Sequence, residues 1–246
     1  MLPVGVALAL AYLLGVRRVR RPWPASRTTS FLLGCAVLVA AGVAPGDGFT
    51  AHMTEHVAIG MIAPLLLALG APITLALQSC GPATSRTLRL LLRSRTVRVL
   101  THPLVAWTLF GATLVALVFS PLLEWSVRYS AVHALVHLHF LAAGLLFAAT
   151  FIAVDPIPHP LPHGARLLGV LLLVPFHAFV GVALLTARTP LFPSIYPSLS
   201  DQHSAAGVLW TSGELLTLAM GGVVFRRWWV AEQRATARLD RQLAKM

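Results

Sequence analysis

The chain reads as an all-α membrane protein: a polytopic bundle of about seven transmembrane helices, N-terminus outside and C-terminus in the cytoplasm. Three observations predict this. First, of its 246 residues 57% are hydrophobic and only 11% charged, with a mean hydropathy of +0.78; soluble domains carry about 25% charged residues. Second, apolar runs approach the roughly 20 residues that a helix needs to cross a bilayer, and the strand-like alternation of an outer-membrane barrel is absent. Third, the arginines fall in alternate connections.

Taken in order, the apolar segments cover roughly 2–16, 29–45, 55–77, 103–122, 132–153, 166–187 and 206–225. They make one transmembrane domain, 1–225, followed by a basic cytoplasmic tail, 226–246. The first run is followed, not preceded, by its positive charges (RRVRR), so it reads as a retained short span rather than a signal peptide. The connection after it holds Arg17, Arg18, Arg20, Arg21 and Arg27. Residues 78–101 hold Arg86, Arg89, Arg93, Arg95 and Arg98, and the tail holds Arg226, Arg227, Arg234, Arg238, Arg241 and Lys245. The connections between these hold only Arg128 and Arg188, beside Asp47, Glu124 and Asp201. The positive-inside rule then sets the orientation. The net charge of +11 is thus a topological signal, with no interleaved aromatics to suggest a nucleic-acid partner; the partner it implies is the lipid bilayer. Pro64, Pro72 and the pair Gly70–Ala71 predict a bend in the third span, and Trp228 and Trp229 suggest an interfacial helix in the tail. Cys35 and Cys80 lack any CxxC spacing and predict neither a disulfide framework nor a thiolate site.

This topology gathers the histidines. His52 and His56 stand four apart at the outer start of span three, on one helix face, and His133 and His137 repeat the arrangement at span five. Asp201 and His203 precede span seven, Glu214 lies further inside it, and His177 sits about halfway along span six. His139 falls on a different face from its neighbours, and His159 and His163 lie in a proline-rich inner turn that reads as solvent-exposed. Ionisable groups in a span are costly and usually face a cavity or one another. Two imidazole pairs on two helices supply up to four nitrogen ligands, which suit copper and zinc, and a thioether from Met53 or Met61 would favour Cu(I). The acids would serve as ligands or orient the rings. The alternative is histidines that bond across helices or sit in the wet interface. No HExxH, GxSxG or phosphate-binding glycine loop is present.

Four stretches carry a family resemblance. HMTEHVAIGMIAPLLLALGAPITLAL at 52–77, HALVHLHFLAAG at 133–144, DPIP at 155–158 and DQHSAAGVLWTSGE at 201–214 resemble, in order and spacing, the bacterial cytochrome c oxidase assembly factors often called CtaG. The resemblance covers roughly residues 5–230. It implies an integral plasma-membrane protein that delivers or inserts copper at oxidase subunits, with no enzymatic activity of its own. The positions matching its polar motifs are His52, His56, His133, His137, Asp201, His203 and Glu214, with His177 a further candidate. Glu55, between the first two histidines, departs from the uncharged residue expected there; it is either an extra oxygen ligand or a group facing water.

The expectation is a copper chaperone that takes its ion from a periplasmic or extracellular donor. Two other classes use the same residues. Haem could be held axially by histidines of spans three and five. A zinc-dependent membrane hydrolase would use Glu214 or Asp201 as general base. A copper permease would need a polar path through the membrane, of which His177 is the visible part.

Overall fold

The computed structural model describes residues 1–19, 21–43, 46–158 and 160–244. His159, and Arg20 and Lys245 of the charge pattern, lie outside them. The order of elements is α1 (Leu2–Arg18), α2 (Ala25–Val43), α3 (Phe49–Val57), a π-helical turn (Ala58–Ile62), α4 (Ala63–Leu69), α5 (Pro72–Ser79), α6 (Pro82–Leu92) and α7 (Arg95–Leu100). There follow α8 (Pro103–Phe119), α9 (Leu122–Arg128), α10 (Ser130–Phe151), α11 (His163–Leu171), α12 (Val174–Thr186) and α13 (Leu199–Leu243). The described residues contain no strand.

Five helical stretches are long and apolar enough to cross a membrane: Ala25–Val43, Phe49–Leu69, Ser130–Phe151, His163–Thr186 and Leu199–Leu243. A sixth is added if Pro103–Phe119 and Leu122–Arg128, bent by 76° at Ser120 and Pro121, count as one. Seven were expected. The difference lies in α1, whose 17 residues reach about 25 Å at 1.5 Å per residue, against a hydrocarbon core of about 30 Å.

Three boundaries differ from expectation, each for a local reason. The third span begins at Phe49, so His52 and His56 lie inside the helix, not at its threshold. It stops at Leu69, because Ala71 adopts a left-handed conformation (φ 52°) and Pro72 opens a new helix. Proline disfavours the α region for the residue before it, and Ala71 resolves the conflict by reversing the chain. The last helix starts at Leu199, capped by the Ser198 hydroxyl, which accepts from the Asp201 N–H at 3.2 Å. It then runs unbroken for 45 residues, about 68 Å. The tail from 226 to Leu243 is therefore a continuation of the last span, where a separate interfacial helix was expected.

α3 and α10 run parallel, with their N-terminal turns side by side at one end of the bundle. At the other end α5 begins where α10 finishes: the Ile73 and Thr74 N–H groups donate to Asp155 at 2.9 and 2.7 Å. The arginine-bearing connections gather at this second end. Arg18 and Arg21 share a crevice with Gln78 and Cys80, Arg89, Arg93 and Arg98 share one with Pro156 and Pro158, and Arg227 donates to the Ala153 carbonyl at 3.0 Å. The histidine pairs of α3 and α10 thus lie at the end opposite these arginines, while His163 lies with them, stacked on Trp228.

The parallel pair is drawn close by two glycines. Pro64 cannot donate to the carbonyl one turn back, and the helix before it widens into the π turn, where the Ala63 N–H reaches the Ala58 carbonyl. Gly60 within that turn and Gly144 of α10 face each other. A Cβ on Gly144 would collide with the Gly60 carbonyl and lie 2.7 Å from the Pro64 ring; one on Gly60 would lie 2.6 Å from Phe140. Gly144→Ala is therefore expected to cost about 1–3 kcal/mol by overpacking. Thermal unfolding in detergent should show a lowered midpoint, and an unchanged one would mean that the two helices stand further apart.

Candidate metal centre

The first two turns of α3 and α10 each place a pair of imidazoles on the face that meets the other helix. The four rings form a quadrilateral. His52 and His56 lie 4.5 Å apart between ring centroids, His56 and His137 5.2 Å, His137 and His133 4.1 Å, and His133 and His52 5.3 Å. The two edges along a helix follow from i, i+4 spacing. The two between helices follow from the parallel packing set by Gly60 and Gly144. Phe140, one turn beyond, stacks on His56 at 4.7 Å and closes the floor.

Glu55 joins them. Its Oε1 lies 3.7 Å from His137 Nε2, and Glu55, His133 and His137 offer ligand atoms within 4.8 Å of one another. Four bonds of about 2.0 Å to a tetrahedral ion place the donors about 3.3 Å apart, so modest side-chain rotation would close this set on a metal. The ring nitrogens are ready for it. His52 Nε2, both nitrogens of His56, His133 Nε2 and His137 Nε2 are buried without a hydrogen-bond partner among the described residues. Buried polar groups are almost always paired, because leaving one unmatched costs about 1–3 kcal/mol. Of these nitrogens, those of His133 and His137 converge with the Glu55 carboxylate, while the rings of His52 and His56 pack beside them; the donor chemistry fits copper or zinc.

A roof covers the cluster. The segment between α12 and α13 is pinned by the buried side chain of Gln202, which accepts from the Leu191 N–H at 2.7 Å and donates to the Leu184 carbonyl at 3.0 Å. This brings Tyr196 onto Phe49, ring on ring at 5.0 Å, with its hydroxyl 3.0 Å from His52 Nδ1. Burial, with the carboxylates of Asp201 and Glu55 nearby, pushes the Tyr196 hydroxyl up to about 12, so it remains a phenol. When His52 Nδ1–H donates to that oxygen, the Nε2 lone pair is left for a metal, the usual outer support of a ligating histidine.

The other candidates lie elsewhere. Asp201 is occupied: its carboxylate accepts from the Phe49 N–H at 2.6 Å, the Thr50 N–H at 3.2 Å and the Thr50 hydroxyl at 2.6 Å. It caps α3 from another helix, a position α3 needs filled because its own N-cap residue is Gly48. Asp201, expected as a ligand, thus holds the start of α3 with both carboxylate oxygens. His203 points its Nε2 at the Ala187 carbonyl, 3.4 Å away, and helps seat the roof. Glu214 is half-buried further along α13 and is not among the groups whose ligand atoms converge. His177 lies deeper, its ring packed on the bare Cα of Gly213. His139 is exposed and bonds the Thr113 hydroxyl at 2.7 Å, outside the cluster. Sequence reasoning missed Tyr196 altogether, since no local spacing marks a loop residue folded back from 144 positions away. Glu55 was visible as an acid between two histidines, but not the direction it takes.

An apolar helical bundle with a buried histidine cluster at one end defines the class: a polytopic membrane protein with a nitrogen-rich centre. The profile of the cytochrome c oxidase caa3 assembly factor family (Caa3_CtaG) matches residues 10–231, and the chain belongs to that family. It is 36% identical over 261 aligned positions to uncharacterised proteins of Mycobacterium bovis and Mycobacterium tuberculosis, and 32% identical over 260 to one of Mycobacterium leprae. Each alignment covers 96% of this chain and 40% of the relative, so the chain spans about two-fifths of their length. No solved structure matches it significantly.

Two variants separate ligand from support. Asp201→Ala is expected to lower the unfolding midpoint while the folded protein keeps its metal capacity, measured by metal analysis after desalting. Tyr196→Phe should keep the fold and weaken metal affinity by about tenfold, the lower end for loss of an outer partner, measured by chelator competition.

Proposed function

We propose that this chain is a non-enzymatic assembly factor for cytochrome c oxidase that binds copper at the histidine cluster and hands it to an oxidase subunit. In this reading it sits in a bacterial plasma membrane, crossing seven times, with the cluster at the outer face and the arginine-rich connections in the cytoplasm. The observation that carries it is the set of ligand atoms that His133, His137 and Glu55 bring within 4.8 Å of one another, beside the unpartnered rings of His52 and His56. Membership of the caa3 assembly factor family supplies the context.

Handing over an ion needs donors that exchange one at a time. Imidazoles at helix ends, held from outside by Tyr196 and from below by Phe140, keep their geometry when one bond is broken. The half-buried carboxylate of Glu55 offers a weaker oxygen bond, the first to yield to an incoming ligand. Loading would come from a periplasmic or extracellular donor and unloading from a ligand of the oxidase subunit. The competing classes gain little. The cavity next to the cluster is about 30 Å³, room for a water or a bare ion and not for a porphyrin. Of the two acids the hydrolase reading offers as base, Asp201 has both oxygens engaged, and Glu214 is not among the groups whose ligand atoms converge.

The purified protein is expected to retain about one copper ion at the cluster after desalting. His52→Ala and His137→Ala should each lower that content and the activity of oxidase assembled in cells carrying them. Fully copper-loaded oxidase in both variants would sink the proposal, and a Soret band in the purified protein would point to haem.

A further inference from the structure

Beside the quadrilateral the bundle holds a small, partly open cavity of about 30 Å³. Its lining is mostly apolar, but four of its residues carry donor atoms: Met53, His56, Met61 and His177. They come from different levels of two spans. Met53 follows His52 in α3, Met61 lies in the π turn five residues beyond His56, and His177 projects from α12. All four are buried, Met53 completely. Two of the chain's five methionines face this one space.

Two features distinguish the cavity from ordinary core. His56 belongs to both places: its ring is an edge of the quadrilateral and also lines the cavity, and neither of its nitrogens has a partner among the described residues. His177 Nδ1 is likewise buried and unpartnered. The Nδ1 edge of His177 packs on Gly213, which leaves its other ring edge for the cavity; beside it, His56 has both nitrogens unpartnered, and at a depth where polar groups are expensive the two rings call for an occupant. The Thr113 hydroxyl, also in the lining, is already engaged by the Leu109 carbonyl and His139, leaving the rings and the thioethers as available donors.

The chemistry differs from that of the outer cluster. Imidazole with carboxylate accommodates copper in either oxidation state or zinc, whereas thioether sulfur in a carboxylate-free pocket selects Cu(I) over divalent ions. We infer that Met53, Met61, His56 and His177 form an inner station for Cu(I), reached from the outer cluster through the shared ring of His56. This rests on the copper reading above and adds to it a second site, an oxidation state and a direction. The ion moves as Cu(I) throughout: a bond to an outer imidazole or to Glu55 breaks as a bond to a thioether forms, and no electron is transferred.

The test is Cu(I) loading of the full chain in detergent under anaerobic, reducing conditions, followed by X-ray absorption at the copper edge and competition with a Cu(I) chelator. The loaded protein should show copper–sulfur scattering at about 2.3 Å beside nitrogen. Met53→Leu with Met61→Leu, a near-isosteric pair of changes that keeps the core filled, should abolish the sulfur component and leave nitrogen-bound copper. His177→Leu should keep the sulfur signal and weaken Cu(I) retention at least tenfold. His133→Ala should leave the sulfur-bound ion and slow its loading. If wild type retains Cu(I) with nitrogen or oxygen neighbours alone, the inner station is overturned while the outer site stands. If wild type retains no Cu(I) at all, both fall.

Discussion

Everything at the histidine end depends on how closely α3 and α10 approach. Two helices carrying paired imidazoles make a four-ring cluster only if they run parallel and in register with little between them. Gly60 and Gly144 allow that, because a side chain on Gly144 would collide with the Gly60 carbonyl or the Pro64 ring and one on Gly60 with Phe140. In a bilayer no hydrophobic gain draws helices together, so close packing of small residues is the main available force. Gly60 sits within the π turn that Pro64 forces, so the same turn that brings the helices together also contributes Gly60 and Met61 to the lining of the cavity.

A second constraint fixes the ends. Asp201 reaches from α13 to cap α3, and Asp155 reaches from the chain after α10 to cap α5 in the same manner: a carboxylate taking the first two N–H groups and a threonine hydroxyl. Exposed helix N-termini in an apolar bundle leave donors unmatched, and a charged acceptor from a distant segment answers them strongly. Gly48 is required at the first of these, because it holds φ at 98° and a Cβ there would strike the Asp201 carboxylate. The same Asp201 anchors the helix from which Gln202 pins the roof, so capping, roofing and support of His52 by Tyr196 form one connected structure.

The pattern of hydropathy made most of the helices legible, because a bilayer demands long apolar runs and the chain cannot hide them. The breaks were harder. Pro72 announced an interruption, but only the left-handed turn at Ala71 says that the span ends at Leu69 and that both histidines lie inside it. The basic tail carried Trp228 and Trp229 as for an interface, yet the chain has no breaker there and the helix continues to Leu243.

The sequence by itself determined the apolar helices, the gathering of arginine in alternate connections and the pairing of His52 with His56 and His133 with His137. These follow from composition and from the 3.6-residue period, which are local properties. Which acid joins the rings was not local. Asp201 was the expected ligand and Glu55 a departure that could equally have faced water; packing turned Glu55 toward His137 and made Asp201 a helix cap. Tyr196, the inner cavity and the sharing of His56 between two places were decided by tertiary structure alone. They depend on the distance between two helices and on a loop folding back over them, and neither leaves a periodic trace in the chain.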